Sequence, residues 1–214
     1  MKYSDLFNLI KKTHYETVGD DLDYQVLIDD AERNVYLLFE ESSSKEDWRN
    51  NFRWFALPYK PYKYPEIKMW VHRGFAKVWK SGNDEVMSAF IKGCEDNPEY
   101  MPIIAGWSFG GAMAQLAAED FYFRTKQKAV VITYGAPKIL FGKKTWKHFC
   151  DSVIKARQFC HVSDLVTKCI PVPGFRRIDT SKVGKQGWKF WRLFNTDYHC
   201  CYGNESLYKV IFIK

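Results

Sequence analysis

The spacing of apolar residues along the first forty positions predicts a helix followed by two strands. Apolar side chains recur at helical spacing within residues 3–12, which indicates a short amphipathic helix. The runs YQVLID (24–29) and NVYLLF (34–39) are typical of strands, and the polar stretch DAER joins them. The two runs therefore predict an antiparallel hairpin near the beginning of the chain.

Helical and strand patterns alternate over most of the remaining chain. A helical pattern covers about residues 75–94, the apolar run MPIIAGW (101–107) predicts a buried strand, and an alanine-rich helix follows at 109–124. The runs AVVITYGAP (129–137) and ARQFCHVSD (156–164) predict two more buried strands. This alternation indicates an α/β fold, in which helices cover the faces of a mostly parallel sheet.

The segment between the hairpin and the first long helix has a different character. Residues 44–70 mix charges, prolines and aromatic rings without a regular period, which predicts an irregular excursion over the surface. A segment of this kind is a candidate lid over a binding site.

Ser108 lies where a predicted strand turns directly into a predicted helix. The stretch Gly106–Gly110 reads G-W-S-F-G and matches G-x-S-x-G, the pattern of a nucleophile elbow. The flanking glycines allow the strand and the helix to approach closely, and the helix N-terminus directs N–H groups towards the space before the hydroxyl. The same residues also suit a plain βα turn with a capping serine, so the residues that would activate Ser108 must decide between the two.

The chain contains an acid and a base in the order that this kind of elbow requires, which is serine, acid and histidine. The downstream histidines are His148 in a basic helical stretch, His161 within a strand and His199 in a loop-like segment, and we select His199 as the base. Asp164 follows a strand end, where a carboxylate reaches the same crevice, and is the preferred acid. Asp151, Asp179 and Asp197 are the weaker candidates for the acid. The predicted triad is Ser108, Asp164 and His199.

Composition and charge change this picture little. The 214 residues suit a single domain over positions 1–214, and the net charge of +7 is spread over the chain without a recognisable nucleic-acid module. We therefore expect no nucleic-acid partner, although contact with anionic lipid surfaces stays open. The first 30 residues lack a signal-peptide pattern and the six cysteines lack a disulfide-framework spacing, which favours a cytoplasmic location. A zinc site at His199, Cys200 and Cys201 is disfavoured, because three successive residues do not readily surround one ion.

Six motifs in order resemble the class 3 (fungal-type) lipase family, which has the α/β-hydrolase fold. The resemblance spans about residues 35–202. It is carried by FEESSSKEDWRNN (39–51), VHRGFAKVW (71–79), AGWSFGGAMAQLAA (105–118), TYGAPKIL (133–140), VSDLVTKCIPVP (162–173) and the final His199 to Tyr202. It implies a mostly parallel central sheet flanked by helices, with the antiparallel hairpin at its N-terminal side.

The resemblance also implies an oxyanion hole and a lid. Ser42 would donate to the oxyanion through its backbone N–H, and Phe109 would supply the second N–H. Asp47 is placed where the family orients the Ser42 hydroxyl, or it is a solvated surface charge. Glu40 and Glu41 stand where the family has Arg-Gly, a departure that puts the shape of this loop in question.

The segment 43–57 matches the family lid. Its rings would form an apolar underside, or would cap the core instead. A later aromatic cluster would line an acyl site or pack before the His199 loop; it comprises Trp188, Phe190, Trp191 and Phe194.

The function that these residues predict is hydrolysis of carboxylic esters of lipids, by a lipase or esterase without metal or organic cofactor. A phospholipase A1 is an alternative within the same chemistry, suggested by the basic stretch KILFGKKTWKH (138–148). A non-catalytic lipid-binding module of the same fold is the alternative from another class, suggested by Glu40 and Glu41. The expected partners are a lipid or small acyl-ester substrate and, transiently, a lipid surface.

Overall fold

The computed structural model describes most of the chain. The described residues are 1–40, the backbone of 56–59, 69–164, 166–168, 173–178, 180–184 and 197–208. Ser42, Asp47, most of the predicted lid and the cluster from Trp188 to Phe194 lie outside these ranges, so the predictions made for them stay predictions.

A seven-stranded sheet forms the centre of the protein, in the order β1-β2-β3-β6-β7-β9-β11. The pairs from β3 through β11 are parallel, whereas β1, β2 and β3 pair antiparallel. This confirms the predicted α/β sheet with its N-terminal antiparallel hairpin. The bounds are β1 Glu16–Val18, β2 Leu22–Asp29, β3 Asn34–Phe39, β6 Met101–Trp107, β7 Val130–Tyr134, β9 Lys155–His161 and β11 Thr180–Val183.

Helices cover both faces of this sheet. Neighbouring side chains of a strand point to opposite faces, so that Leu37 packs against the helices on one side and Leu38 against α1 on the other. Because both faces are covered at the centre of the sheet, the parallel strand β7 is buried at all five positions. The helices are α1 Tyr3–Lys12, α2 Arg73–Asp96, α3 Phe109–Thr125, α4 Gly142–Asp151 and α5 Asp197–Cys200.

A second, antiparallel sheet lies beside the central one, and it corrects part of the sequence prediction. Its strand order is β10-β8-β5-β4, with bounds β4 Ala56–Tyr59, β5 Met69–His72, β8 Leu140–Phe141 and β10 Phe175–Arg176. The expectation of an irregular excursion over 44–70 is therefore wrong for Ala56–Tyr59 and for the start of β5. Pro58 obscured β4, but β4 is an edge strand, where a missing N–H donor is tolerated.

Within the described part of the chain, the helices are too short or too polar to cross a membrane.

Candidate active site

The turn from β6 into α3 holds Ser108 in a backbone conformation that side chains rarely adopt. Its φ is 55° and its ψ is −118°, although Ser108 is not a glycine. The glycines around it allow this turn, because a Cβ at Gly106 would come within 2.2 Å of the Gly110 carbonyl oxygen. A Cβ at Gly110 would come within 2.4 Å of the carbonyl oxygens of Phe39 and Glu40. The geometry is that of a nucleophile elbow at the carboxyl edge of the sheet.

Asp164 is fully buried immediately after β9. Its Oδ1 accepts a hydrogen bond from the Val166 N–H at 2.9 Å, and its own N–H donates to the His161 carbonyl at 3.0 Å. The Thr167 hydroxyl donates to the Asp164 carbonyl at 2.9 Å. These local bonds fix the carboxylate, so that Oδ2 points to the segment carrying His199.

His199 lies in α5, and its ring contacts the predicted acid directly. Its Nδ1 is 2.8 Å from Asp164 Oδ2, and both side chains are buried. The ring passes so close to Gly135, after β7, that a Cβ there would meet Nδ1 at 2.8 Å. Asp164 thus holds His199 in the tautomer that carries hydrogen on Nδ1 and leaves Nε2 available to accept a proton.

The three predicted residues come together at the carboxyl edge of β6, β7 and β9. The Ser108 N–H donates to the Tyr134 carbonyl at 2.8 Å, and the next residue, Gly135, contacts the His199 ring. Ser108 Oγ is buried and makes no hydrogen bond within the described part of the chain.

Tyr202 is a third partner of the Asp164 carboxylate, and no role was predicted for it from the sequence. Its hydroxyl donates to Asp164 Oδ2 at 2.7 Å and accepts from the His161 N–H at 2.8 Å. Burial, together with the negative charge of Asp164, raises the pKa of Tyr202 far above its ordinary value. Tyr202 therefore remains a neutral donor and keeps Oδ2 in place for His199. The sequence feature that could have indicated this role is the H-x-x-Y spacing between His199 and Tyr202.

The predicted oxyanion donors are only partly described. Phe109 is the first residue of α3, where backbone N–H groups have no acceptor within the helix. Its ring is buried against Phe75, with ring centroids 5.6 Å apart. The end of β3 lies against Gly110, whereas Ser42 lies beyond the described residues.

The rejected candidates for acid and base have other contacts. His148 Nε2 is 2.9 Å from Glu119 Oε1, and Glu119 lies ten positions along α3 from Phe109. The His161 ring stacks on Tyr198, with centroids 4.7 Å apart, and Asp151 is exposed at the end of α4. Asp179 lies outside the described residues, as does the side chain of Asp197. No group of His, Cys, Asp or Glu within the described ranges is arranged to hold a metal ion.

Trp107 connects the elbow to the base. Its buried indole N–H donates to the backbone carbonyl of His199 at 3.0 Å, and the two rings lie 5.4 Å apart. On its other side the indole packs edge-on against Phe7 of α1. The residue that precedes Ser108 thus anchors the backbone of His199.

We expect Trp107→Phe to lower kcat for a soluble ester about tenfold while KM stays constant, because one hydrogen bond that positions His199 is lost. The matched control is Trp79→Phe, since Trp79 Nε1 also donates from a buried site, to Asp120 Oδ2 at 3.2 Å. The control should lower the thermal stability without changing kcat. Equal kcat values for the two variants would contradict the positioning role.

His72, the last residue of β5, caps the N-terminus of α2. Its Nδ1 accepts from the Gly74 N–H at 3.2 Å, and its ring is buried against Phe75 and Phe175. Burial lowers the pKa of His72 from 6.5 to about 4. The folded protein therefore keeps this ring neutral at a pH where the unfolded chain protonates it.

We expect the free energy of unfolding to fall as the pH is lowered from 6.5 to about 4, by about 3 kcal/mol in total from His72 alone. The stability is complete above pH 6.5, because the ring is then neutral in both states. His72→Asn keeps an acceptor for the Gly74 N–H but does not titrate. The free energy of unfolding, measured by urea denaturation at several pH values in this range, should therefore fall less steeply with decreasing pH in the variant than in the wild type. Parallel curves for the two proteins would contradict the assignment.

The chain is similar in sequence and in fold to known lipases. Lipase from Rhizomucor miehei is 28% identical over 130 residues, which are 58% of this chain and 34% of that protein. A solved structure of Rhizomucor miehei triacylglyceride lipase superposes with a TM-score of 0.71 at 22% identity, and covers 80% of this chain and 66% of the other. A triacylglycerol lipase whose catalytic centre is formed by a serine protease triad superposes with a TM-score of 0.66 at 24% identity, covering 79% and 64% of the two chains.

These relatives are longer proteins: this chain spans between about a third and two fifths of the length of the lipases from Rhizomucor miehei, Rhizopus niveus and Rhizopus oryzae. The structural likeness shows that the protein has the α/β-hydrolase fold of these lipases. The sequence model of the class 3 lipases matches residues 36–173, well over half of the chain. The chain therefore belongs to the lipase (class 3) family.

Proposed function

We propose that this protein is a serine hydrolase that cleaves carboxylic esters of lipids, as a lipase or esterase. The observation that carries the proposal is the Asp164–His199 hydrogen bond beside the strained elbow of Ser108. Acyl transfer by a serine hydrolase uses a buried acid, an imidazole oriented by that acid and a serine at a helix N-terminus, and all three groups are present here. The similarity to a triacylglycerol lipase with a serine protease triad supports the same assignment.

The proposed reaction proceeds through an acyl-enzyme. His199 accepts the Ser108 proton as Oγ attacks the ester carbonyl, and Asp164 stabilises the imidazolium that forms. The N–H groups at the start of α3, including that of Phe109, face the oxyanion, and Ser42 is the proposed second donor. His199 then protonates the leaving alcohol and activates the water that releases the acid. None of these steps uses a metal or an organic cofactor.

The test of the enzymatic proposal is labelling by a fluorophosphonate probe, which modifies only an activated serine. We expect stoichiometric labelling together with hydrolysis of p-nitrophenyl butyrate. A folded protein that reacts with neither would overturn the proposal and would favour the non-catalytic binding module.

The substrate proposal needs a separate measurement. Rates on p-nitrophenyl esters from acetate to palmitate, above and below their aggregation limits, report chain-length preference and interfacial behaviour. We propose acyl esters at a lipid surface as the substrates, so the rate should rise where the ester aggregates. Release of fatty acid from phosphatidylglycerol but not from triacylglycerol would favour a phospholipase A1 instead.

A further inference from the structure

Three lysines form an exposed basic face on α4. Lys147 follows Lys144 by three positions and Lys143 by four, which places it beside both on the helix surface, and all three are exposed. The opposite surface holds Thr145 and Phe149, which are buried against the second sheet and the core. The lysines therefore point away from the protein.

The stability of α4 does not explain these charges. Lys143 and Lys144 stand in the first helical turn, where the helix dipole disfavours positive charge, and no acidic residue accompanies them there. Within the described part of the chain, the lysines of α4 form no salt bridge. A basic cluster placed against the local dipole calls for an explanation outside the folded chain.

The neighbouring strand β10 extends the positive surface. Arg176 is exposed and pairs with Leu140 of β8, directly before α4. The Trp146 indole of α4 donates to the Arg177 carbonyl at 2.8 Å, which holds the two elements together. Burial and the charge of Arg177 lower the pKa of Lys138, so positive charges also crowd where β8 begins. We call Lys143, Lys144, Lys147 and Arg176 the basic rim.

The basic rim lies at the edge of the sheet that carries Ser108. The chain leaves the carboxyl end of β7, forms β8 and then returns along α4 to the start of β9. At the opposite edge the Ile154 N–H donates to the Ala129 carbonyl, just before β7 begins. The first turn of α4, with Lys143 and Lys144, is therefore on the same side of the molecule as Ser108.

Charges elsewhere on the molecule are arranged differently. At the opposite edge basic and acidic side chains pair with one another, as Arg33 does with Glu99. On the side of the sheet that carries Ser108, Asp20 and Asp21 lie in the turn between β1 and β2, where Asp20 pairs with Lys77 at 3.6 Å, and Glu40 follows the carboxyl end of β3. The turn is three strand positions from β7, about 14 Å across the sheet, and Glu40 is two strand positions from β7, about 10 Å.

Trp70 adds an apolar group beside the basic rim. It is 43% exposed, and its backbone N–H donates to the Thr145 hydroxyl of α4 at 3.0 Å. An exposed tryptophan next to lysines is typical of a surface that meets lipid headgroups, since the ring enters the interface while the lysines contact anionic groups.

We propose that the basic rim and Trp70 dock the protein on an anionic lipid surface and turn the Ser108 crevice towards it. This inference rests on the proposed function for its purpose, but lipid docking can be measured without catalysis. The net charge of +7 supports attraction to such a surface.

The test compares binding to phosphatidylcholine vesicles with and without phosphatidylglycerol. For the triple variant K143Q/K144Q/K147Q we expect partitioning onto the anionic vesicles to fall on the order of 100-fold, with weak binding to neutral vesicles unchanged. The control K92Q/K128Q/K155Q removes the same charge from exposed positions near the opposite edge and should bind within a few-fold of wild type. Thermal unfolding verifies that both variants fold.

Several outcomes would overturn the docking proposal. These are equal losses in the two triple variants, no preference of the wild type for anionic vesicles, or tighter binding to duplex DNA than to those vesicles. Hydrolysis of soluble p-nitrophenyl acetate should be unchanged in both triple variants. If the wild type fails to hydrolyse that ester, the proposed function fails, while the vesicle result still decides the docking surface.

Discussion

Ser108→Ala is expected to lower kcat for p-nitrophenyl butyrate by about 10⁵- to 10⁶-fold and to abolish labelling by a fluorophosphonate. The hydroxyl oxygen is the proposed nucleophile, and the remaining groups of the crevice give only residual acceleration. The fold should survive, because Ser108 Oγ makes no hydrogen bond within the described residues and alanine retains the Cβ. Three measurements on the purified variant test this prediction: steady-state kinetics for kcat, probe labelling for the reactive serine, and thermal unfolding for the fold.

A second buried serine provides the control for this substitution. Ser152 is fully buried after α4, and its hydroxyl donates to the His148 carbonyl at 2.8 Å, away from the crevice. Ser152→Ala should lower the thermal stability yet leave the rate and the labelling unchanged. The assignment of the nucleophile would be refuted by a Ser108→Ala protein that still hydrolyses the ester within tenfold of the wild-type rate.

Local sequence patterns were sufficient to predict the elbow and most of the central sheet. The helix over residues 3–12 and the strand over 101–107 are found as predicted, because their periodicity is set by the burial of one or both faces. Gly106 and Gly110 are needed for a close approach of strand and helix, so their spacing around Ser108 is a local signal of geometry. Asp164 followed from its place at a strand end.

Contacts between distant parts of the chain could not be read in this way. Trp107 and His199 are 92 positions apart, and Tyr202 and Asp164 are 38 apart, so no local period reports either hydrogen bond. The second sheet escaped prediction for a related reason. Its strands are short, and β8 meets β5 across a wide separation in sequence, so neither β4 nor β8 carries an alternation long enough to identify it.

The proposed oxyanion hole involves both a local sequence pattern and a contact between distant parts of the chain. The resemblance placed the second donor shortly after β3, and the structure brings the Phe39 and Glu40 carbonyls against Gly110 of the elbow. This close approach explains why a glycine is required at position 110, since any side chain there would push β3 away from α3. It also sets Glu40, the last described residue of this segment, against the elbow that carries Ser108. The role of Ser42 stays a prediction.

Asp164→Asn is expected to lower kcat about 10⁴-fold, the second largest effect among these variants. Asp164 Oδ2 accepts from both His199 Nδ1 and the Tyr202 hydroxyl, while Oδ1 accepts from the Val166 N–H. An amide NH₂ group at the Oδ2 position would favour the His199 tautomer with hydrogen on Nε2, which cannot accept the Ser108 proton. At the Oδ1 position it would oppose the Val166 N–H instead.

The same donor conflict should lower the free energy of unfolding by about 1–3 kcal/mol, because one buried polar group loses its partner in either orientation of the amide. Tyr202→Phe separates the two contributions, since it removes one donor to Asp164 but leaves the carboxylate, and we expect its kcat to fall about tenfold. Asp151→Asn, at an exposed aspartate, serves as the neutral control. The role of Asp164 is tested by measuring kcat against pH for all three variants. An Asp164→Asn enzyme with nearly wild-type kcat would show that Asp164 is not the acid of the triad, because another residue would then have to orient the His199 ring.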